Sequence, residues 1–337
     1  MQETWELFCR VIDNYGDIGV SWRLARDLAT RGRRVRLWVD DAAALGWMAP
    51  QGWPQGIEVL PWEAAASADH VGDVVVETFG CELPERFVAA MAGRATPPRW
   101  INLEYLSAED YVERSHALAS PQFSGPGQGL VKHFFYPGFT PRTGGLLREP
   151  GLIEAQPGFD RRAWLAARGI AHEGERIVSL FAYANADVRR LLGLLADAPT
   201  LVLACAGALP PGELAPTTRW HALPLLSQPE YDHLLWSADL NFVRGEDSFV
   251  RAQWAGKPFV WHIYEQDDGV HAAKLDAFLA RYAPGDPMAQ LWRAWNGLAG
   301  WPAELPSLDT AAPLAWRAKL LAQPDLVTQL LDFTRSC

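Results

Sequence analysis

The chain has 337 residues, with 40 acidic and 30 basic side chains and a formal net charge of −10. This length exceeds the usual size of a single hydrophobic core and therefore predicts two domains. Hydrophobic residues make up 49% and charged residues 21% of the chain, as is typical of soluble globular proteins. The acidic balance argues against a nucleic-acid partner, since phosphate binding requires clustered cations, and it favours a cationic acceptor.

Membrane and metal signals are weak throughout the sequence. No apolar run approaches the length of a membrane span, and the N-terminus lacks the regions of a signal peptide, so we expect a cytoplasmic protein without membrane contact. Cys9, Cys81, Cys205 and Cys337 are scattered without a C-x-x-C pair, and the eight histidines are equally dispersed. These spacings favour neither a disulfide framework nor a metal site, and we expect no metal.

The most informative stretch of the first half is 13–23, DNYGDIGVSWR, which follows an apolar run at 5–12 and enters an amphipathic stretch at 20–30. A strand, a glycine-bearing loop and a helix predict the first βα unit of a doubly wound domain. Ligands of such sheets bind beyond the carboxyl ends of the strands, so Asp13 and Asp17 are candidate functional groups. The loop lacks the G-x-G-x-x-G spacing of nicotinamide sites. The alternative is that Asp13 starts an Asx-turn and Asp17 caps the helix.

The first half continues to alternate strands and helices, which predicts a parallel sheet covered on both faces. Further strands are predicted at 35–40, 57–62, 74–79 and 99–103, with a helix at 83–91. Glu77 ends the fourth strand, and Glu104 and Tyr105 follow the fifth. They are expected to line the same cleft as Asp13, with solvated edge carboxylates as the alternative. Residues 115–150 lose the alternation, and such a long irregular segment either receives an acceptor or covers the core.

A helix at 159–168 leads into a second half in which the alternation restarts. Strands are predicted at 176–183, 200–206, 220–225, 240–244 and 258–264, and helices at 187–195, 228–236, 247–254 and 269–281. Two such domains predict facing sheets with a ligand cleft between them. We place the domains at 1–152 and 153–321, with a C-terminal helix at about 322–337 that packs back on the first.

Functional groups in the second half are densest at 244–258, RGEDSFVRAQWAGKP. A strand ends at Arg244 and a helix begins near Asp247, so free N–H groups and the positive end of the helix dipole form a candidate phosphate site. Ser248 adds a hydroxyl, and Arg244 supplies the positive charge that offsets Glu246. The alternative is a capped helix, with Asp247 as the cap and Arg244 paired with Glu246.

Aromatic and acidic residues near this stretch are further candidates. The string YEQDDG at 264–269 follows the next strand and is expected to close the same site, but its two adjacent aspartates lack a full ligand set for a metal. Phe181, Tyr183 and Tyr231 stand at ends of elements, where their rings are candidates to hold a nucleobase. Core packing is the alternative for all three.

Taken together, the strings at 13–23, 244–254 and 264–269 resemble the elongation factor P arginine rhamnosyltransferases, bacterial enzymes that glycosylate one arginine of a translation factor. The resemblance spans most of the chain, but 40–70 and 285–315 carry no match. It implies a GT-B fold, with two facing Rossmann-like domains and an interdomain cleft. It also implies metal-independent transfer of L-rhamnose from dTDP-β-L-rhamnose to elongation factor P, with inversion and without a cofactor.

The same resemblance implies the site residues. It assigns catalytic roles to Asp13, Asp17 and Glu246. It places these residues in the donor pocket: Asn14, Tyr15, Gly16, Phe181, Tyr183, Gln228, Arg244, Asp247, Ser248 and Tyr264.

An arginine acceptor explains why carboxylates are needed. A guanidinium is a poor nucleophile, so carboxylates must orient it and take the proton released as the C–N bond forms. Our hypothesis makes Asp13 the general base and Asp17 the residue that positions the guanidinium. The alternatives are a GT-B enzyme with a lipid or small-molecule acceptor, a glycosidase, and a non-catalytic protein that binds nucleotide sugars.

Overall fold

The computed structural model describes residues 2–12, 15–68, 70–265, 269–282, 285 and 287–336. Over these ranges the chain divides into two compact units. The first unit combines the residues up to Pro150 with those from Leu320 onward, and the second is Gly151–Lys319.

In its described part, the first unit contains a seven-stranded sheet in the order β3-β2-β1-β4-β5-β7-β6. Its strands are β1 (Thr4–Cys9), β2 (Arg34–Val39), β3 (Ile57–Pro61), β4 (Val74–Thr78), β5 (Arg99–Leu103), β6 (Ala119–Pro121) and β7 (Val131–Phe135). The β6–β7 pair is antiparallel, and the other pairs are parallel. The predicted strands β2 to β5 are therefore confirmed.

Helices cover both faces of this sheet. They are α1 (Gly16–Thr30), α2 (Leu45–Met48), α3 (Glu85–Ala92) and α4 (Tyr111–Ser115), with a 3₁₀ segment at Trp62–Ser67. Alternate residues of β1 face opposite layers: Leu7 packs in the same core as Ile18 of α1, and the Phe8 ring lies 4.8 Å from that of Phe87 on α3. Strand β1 is thus buried on both faces, which positions the loop after it at the carboxyl edge of the sheet.

The expectation for 115–150 is only partly met. The segment contains a regular strand, β7, which pairs parallel with β5, and the short strand β6 beside it. In Val131–Phe135 the first residue is exposed, the next three are half-buried and the last is buried, so the strand lacks the alternation that sequence patterns detect. From Tyr136 to Pro150 the chain has no helix or strand.

Within its described residues, the second unit has a five-stranded parallel sheet in the order β10-β9-β8-β11-β12. Its strands are β8 (Arg176–Leu180), β9 (Thr200–Ala204), β10 (Thr218–Ala222), β11 (Leu240–Arg244) and β12 (Phe259–His262). All five predicted strands are present, although β10 begins two residues earlier than expected.

The remaining helices are α5 (Leu152–Ala155), α6 (Arg161–Ala166), α7 (Val188–Leu195), α8 (Gln228–Ser237), α9 (Asp247–Ala255), α10 (Val270–Tyr282), α11 (Met288–Trp295), α12 (Ala311–Leu321) and α13 (Leu326–Ser336). They include the five predicted at 159–168, 187–195, 228–236, 247–254 and 269–281, together with others that were not predicted, such as α5 and α11. Short 3₁₀ turns lie at Gln156–Gly158 and Cys205–Gly207. Helix α13 belongs to the first unit, where Leu326 and Leu330 share a core with α1.

A charged network joins α1 to α13. Arg31, the residue after α1, contacts Asp325 at 2.7 Å and Thr328 at 2.6 Å, and it also binds Asp27 of α1 at 2.7 Å. Asp27 is buried, and burial raises the pKa of its carboxyl to about 6. Arg31 therefore compensates a carboxylate that the protein has removed from water.

We predict that Arg31→Met lowers the free energy of unfolding by about 3 kcal/mol, because Asp27 would remain buried without its cation. Urea unfolding at pH 7 measures the change. Arg335→Met is the matched control, since Arg335 pairs with Asp332 while both side chains are 66% exposed, and we expect a change below about 0.5 kcal/mol. Equal effects of the two substitutions would contradict the assignment of Arg31 as an anchor.

Candidate active site

In the first unit, Asp17 lies in the first turn of α1 and is 2% exposed. Its Oδ2 accepts a hydrogen bond from the Ile12 backbone N–H at 2.8 Å, and its Oδ1 accepts one from the Tyr105 hydroxyl at 3.4 Å. The N-cap is Tyr15, and the described residues provide no side-chain capping bond there. The interpretation of Asp17 as a helix cap is therefore wrong. The carboxylate instead fastens the loop after β1, at the positive end of the helix dipole.

Asp13 and Asn14, predicted as a catalytic and a donor-binding residue, lie outside the described residues. Their neighbours are placed: Gly16 begins α1, and the Tyr15 ring meets Trp47 edge-on at 5.1 Å. On the other side, the Val11 N–H donates to Asp40 Oδ1 at 3.0 Å, just beyond β2. The predicted loop is thus held at both of its described ends.

Further carboxylates lie at the ends of β4 and β5. Glu77 is 1% exposed and binds Lys132 Nζ at 2.6 Å, so the interpretation of Glu77 as a solvated edge residue is wrong. Burial raises its pKa although Lys132 acts in the opposite direction. Glu104 is half-buried and accepts a hydrogen bond from Asn102 at 2.7 Å, and burial followed by the charge of Glu77 raises its pKa. This edge of the first unit therefore concentrates acidic groups.

In the second unit, the turn between β11 and α9 carries the predicted anion site. Gly245 adopts φ +61°, which turns the chain sharply after Arg244. The N-cap of α9 is Glu246, and among the described residues its side chain makes no capping bond, so Asp247 is not the cap. The Ser248 hydroxyl donates to the Arg244 carbonyl and accepts from the Arg244 N–H, which fastens the turn. The N-terminus of α9 is thus held beside Arg244.

Arg244 is held between two aromatic rings. Its guanidinium carbon lies 4.3 Å from the Phe181 ring centroid and 4.7 Å from that of Tyr183. Both rings follow β8, the strand adjacent to β11, so the sheet order brings them to Arg244. Cation–π attraction fixes the guanidinium and preserves its charge. Three predicted donor residues therefore form one cluster.

Other predicted donor residues extend this cluster within the second unit. The Tyr264 ring is half exposed and lies 5.7 Å from Tyr183, and the Tyr231 ring lies 5.9 Å from Phe181. Gln228 is buried at the first position of α8, one turn before Tyr231. Residues 266–268, which contain the two adjacent aspartates of the predicted closing segment, lie outside the described residues.

His262 is a residue of this cluster that the sequence did not indicate. It is the register partner of Arg244, and its Nδ1 accepts a hydrogen bond from the Tyr183 backbone N–H at 3.2 Å. Burial, with the charge of Arg244 as a second cause, lowers the pKa of His262 to about 4. The neutral imidazole of His262 therefore holds Tyr183 in place. A single histidine at the end of a strand carries no motif, so only the pairing of β11 with β12 reveals the contact.

The described part of the chain has neither a cluster of metal-binding side chains nor a helix that could span a membrane. It holds no group of three or more histidine, cysteine, aspartate or glutamate side chains arranged to hold a metal ion. None of its helices is both long enough and apolar enough to cross a membrane.

Two doubly wound units with candidate groups at the carboxyl edges of their sheets give the chain a GT-B fold. The solved glycosyltransferase SnogD from Streptomyces nogalater is similar in fold, with a TM-score of 0.51 over 99% of this chain and 100% of SnogD, at 14% sequence identity.

Sequence comparison defines the family. The family model for the elongation factor P (EF-P) rhamnosyltransferase EarP matches residues 5–335, and the chain belongs to this family. It is 46% identical to the protein-arginine rhamnosyltransferase of Pseudomonas putida over the full length of both chains. It is also similar to a structure that describes EarP-mediated arginine glycosylation of EF-P, with a TM-score of 0.66 and 34% identity over 99% of each chain.

We predict that His262 makes the second unit sensitive to acid. Its pKa is near 6.5 in the unfolded chain and about 4 in the folded one, so the unfolded state binds more protons between these values. Its contribution to stability is present above pH 6.5 and is lost as the pH falls towards 4. Between pH 7 and 5 the loss is about 2 kcal/mol.

Urea unfolding of the wild type and of His262→Asn at both pH values measures this contribution. Because asparagine does not titrate, the variant should lose about 2 kcal/mol less than the wild type between pH 7 and 5. The other histidines contribute equally to the unfolding free energy of both proteins, so their contributions cancel in the difference. Identical pH dependence would show that His262 is not held neutral by the fold.

Proposed function

We propose that the protein transfers L-rhamnose from dTDP-β-L-rhamnose to an arginine side chain of translation elongation factor P, with inversion at the anomeric carbon. The observation that carries the proposal is the division of charge between the units: the first presents a buried, fixed carboxylate, and the second a fixed guanidinium at a helix N-terminus. Membership of the EarP family supports the acceptor. Because that acceptor is a translation factor, we also propose that the protein works in the cytoplasm without a nucleic-acid or membrane partner.

The donor half of the proposal rests on the cluster around Arg244. In it, the diphosphate of dTDP-rhamnose binds the Arg244 guanidinium and the first N–H groups of α9, while the Ser248 hydroxyl, which donates to the Arg244 carbonyl, holds the turn of the donor pocket that presents them. As the bond to the sugar breaks, negative charge grows on the leaving dTDP, and these fixed donors stabilise it without rearranging. The positive charge that stabilises the leaving dTDP comes from the protein, so the proposal includes neither a metal nor a cofactor.

The acceptor half rests on the loop between β1 and α1. In the proposal, carboxylates grip the acceptor guanidinium and turn one nitrogen towards the anomeric carbon. The hydrogen bonds on both oxygens of Asp17 support its role in positioning, since a carboxylate that orients a ligand must itself be held. Asp13 as the general base stays a prediction. Glu246, at the N-cap of α9, is the third carboxylate of the proposed catalytic set.

Inversion sets the geometry of the proposal. The nucleophile must attack from the face opposite the leaving dTDP, so acceptor groups and donor groups belong to different units. A lipid or small-molecule acceptor is the nearest alternative, and it would leave the donor half unchanged. A non-catalytic protein would bind dTDP-rhamnose without consuming it. Mass analysis distinguishes both alternatives from the proposal, because only the proposal predicts that elongation factor P gains the mass of the sugar.

We predict that purified elongation factor P gains the mass of one deoxyhexose when it is incubated with the protein and dTDP-β-L-rhamnose in the presence of EDTA. Intact-mass analysis measures the gain. The matched control is elongation factor P with its acceptor arginine replaced by lysine, which should gain nothing, because the ammonium lacks the planar guanidinium. No gain, with dTDP binding intact by calorimetry, would refute the acceptor assignment.

We predict distinct effects of the two aspartates of the loop. Asp13→Asn should lower kcat by about 1,000-fold or more, because a missing general base costs this order of rate. Asp17→Asn should mainly raise the KM for elongation factor P, about tenfold, because the amide keeps the shape but loses the charge that attracts a guanidinium.

Steady-state kinetics with both substrates varied separate these effects, and calorimetry with dTDP controls for folding. Both variants should bind dTDP as the wild type does, since the nucleotide is proposed to bind the second unit. The reverse pattern, a collapse of kcat in Asp17→Asn alone, would transfer the role of base to Asp17. Loss of dTDP binding in Asp13→Asn would contradict its assignment as an acceptor-side residue.

A further inference from the structure

We propose that Tyr105 is a positioning residue for the transfer reaction, in which its hydroxyl fixes the Asp17 carboxylate and the ring of Phe79 fixes Tyr105. This inference rests on the proposed function, and it adds two residues to the acceptor half of the site. Neither residue belongs to the strings at 13–23, 244–254 and 264–269.

The first observation is that Asp17 is held by donors from two separate segments. Ile12, in the loop after β1, donates its N–H to Oδ2 at 2.8 Å, while Tyr105, just after β5, donates its hydroxyl to Oδ1 at 3.4 Å. Strand β4 lies between β1 and β5 in the sheet, so the Tyr105 contact reaches across a neighbouring strand. One donor on each oxygen sets both the direction and the plane of the carboxylate. Hydrogen bonds at catalytic sites are often long without substrate and shorten when it binds.

The second observation is that Phe79 adopts a strained backbone to reach Tyr105. Its φ is +59°, a region that bulky residues rarely enter. The two rings stack with centroids 4.3 Å apart and planes at 14°. The Phe79 N–H donates to the Leu103 carbonyl at 2.7 Å, and the Gly80 N–H donates to Asn102 Oδ1 at 3.1 Å, which fastens the turn to β5. Strain of this kind persists where the surroundings enforce it and concentrates at functional sites.

The third observation is that Tyr105 is not an ordinary core residue. It is 38% exposed, although its ring is stacked on one side and its hydroxyl reaches a carboxylate that is 2% exposed. Burial of apolar area alone therefore does not explain its position. A role in holding Asp17 explains the position of Tyr105, because small displacements of a group that orients a reactant lower the rate by large factors.

The test compares Tyr105→Phe with the wild type. The substitution keeps the ring and its stacking on Phe79 and removes only the hydroxyl. We expect the kcat/KM for elongation factor P to fall about tenfold, the usual scale for a hydrogen bond to a charged group, with the KM for dTDP-β-L-rhamnose unchanged. Phe79→Leu, which keeps the hydroxyl but removes the stacking, should give a smaller fall in the same parameter.

Tyr111→Phe is the matched control. Tyr111 is also 38% exposed in the same unit, and its ring packs edge-on against Tyr136 at 5.8 Å. The same substitution there should leave both kinetic parameters unchanged. An equal loss in both tyrosine variants would overturn the inference, since it would show a general effect of removing a hydroxyl from this surface.

Crystal structures of the wild type and of Tyr105→Phe give a readout that does not depend on turnover. In the variant, the Asp17 side chain should rotate or occupy two conformers, whereas an unmoved Asp17 would overturn the inference whatever the kinetics. Unchanged kcat/KM in an active enzyme would overturn it as well. A wild type that transfers no deoxyhexose to elongation factor P would refute the proposed function instead, and the orientation of Asp17 would then decide the inference alone.

Discussion

Both units depend on one constraint of parallel sheets, namely that each strand ends where the following helix begins. The free N–H groups of the helix and the side chains of the connecting turn are thereby collected at a single edge. In the first unit the β1–α1 connection fixes Asp17 at that edge, and in the second the β11–α9 connection fixes Arg244 and Ser248. The same topology thus supplies an acidic group in one unit and a cationic group in the other.

The neighbours of each group preserve its charge state. In the second unit, the Arg244 guanidinium lies against the rings of Phe181 and Tyr183, and its register partner His262 is neutral because burial lowers the pKa of the imidazole to about 4. Within this register pair, Arg244 therefore carries the charge at neutral pH and His262 does not compete with it for an anion. In the first unit, burial raises the pKa of Glu77 and Glu104, which works against their charge, and the Lys132 cation beside Glu77 opposes that shift at both residues.

Local patterns predicted β1 to β5, the strands of the second unit and most helices, but not β6 and β7, because hydrophobic periodicity and glycine placement act over a few residues. They could not predict contacts between strands that are distant in sequence. The support of Tyr183 by His262 depends on the order β8-β11-β12, and the stacking of Phe79 on Tyr105 depends on the pairing of β4 with β5. The sequence also left open whether Asp17 caps α1, and the structure excludes this alternative, since Asp17 accepts a hydrogen bond from the preceding Ile12 N–H and the N-cap is Tyr15.

Helix α1 links the candidate site to the far end of the first unit. It has 15 residues and is therefore about 22 Å long, and it carries Asp17 in its first turn. Arg31, directly after its last residue, is bonded to Asp325 and Thr328 at the start of α13. A helix held at both ends cannot slide or rotate without breaking one of these contacts. The C-terminal segment of the chain thereby helps to define the position of a carboxylate that it does not touch.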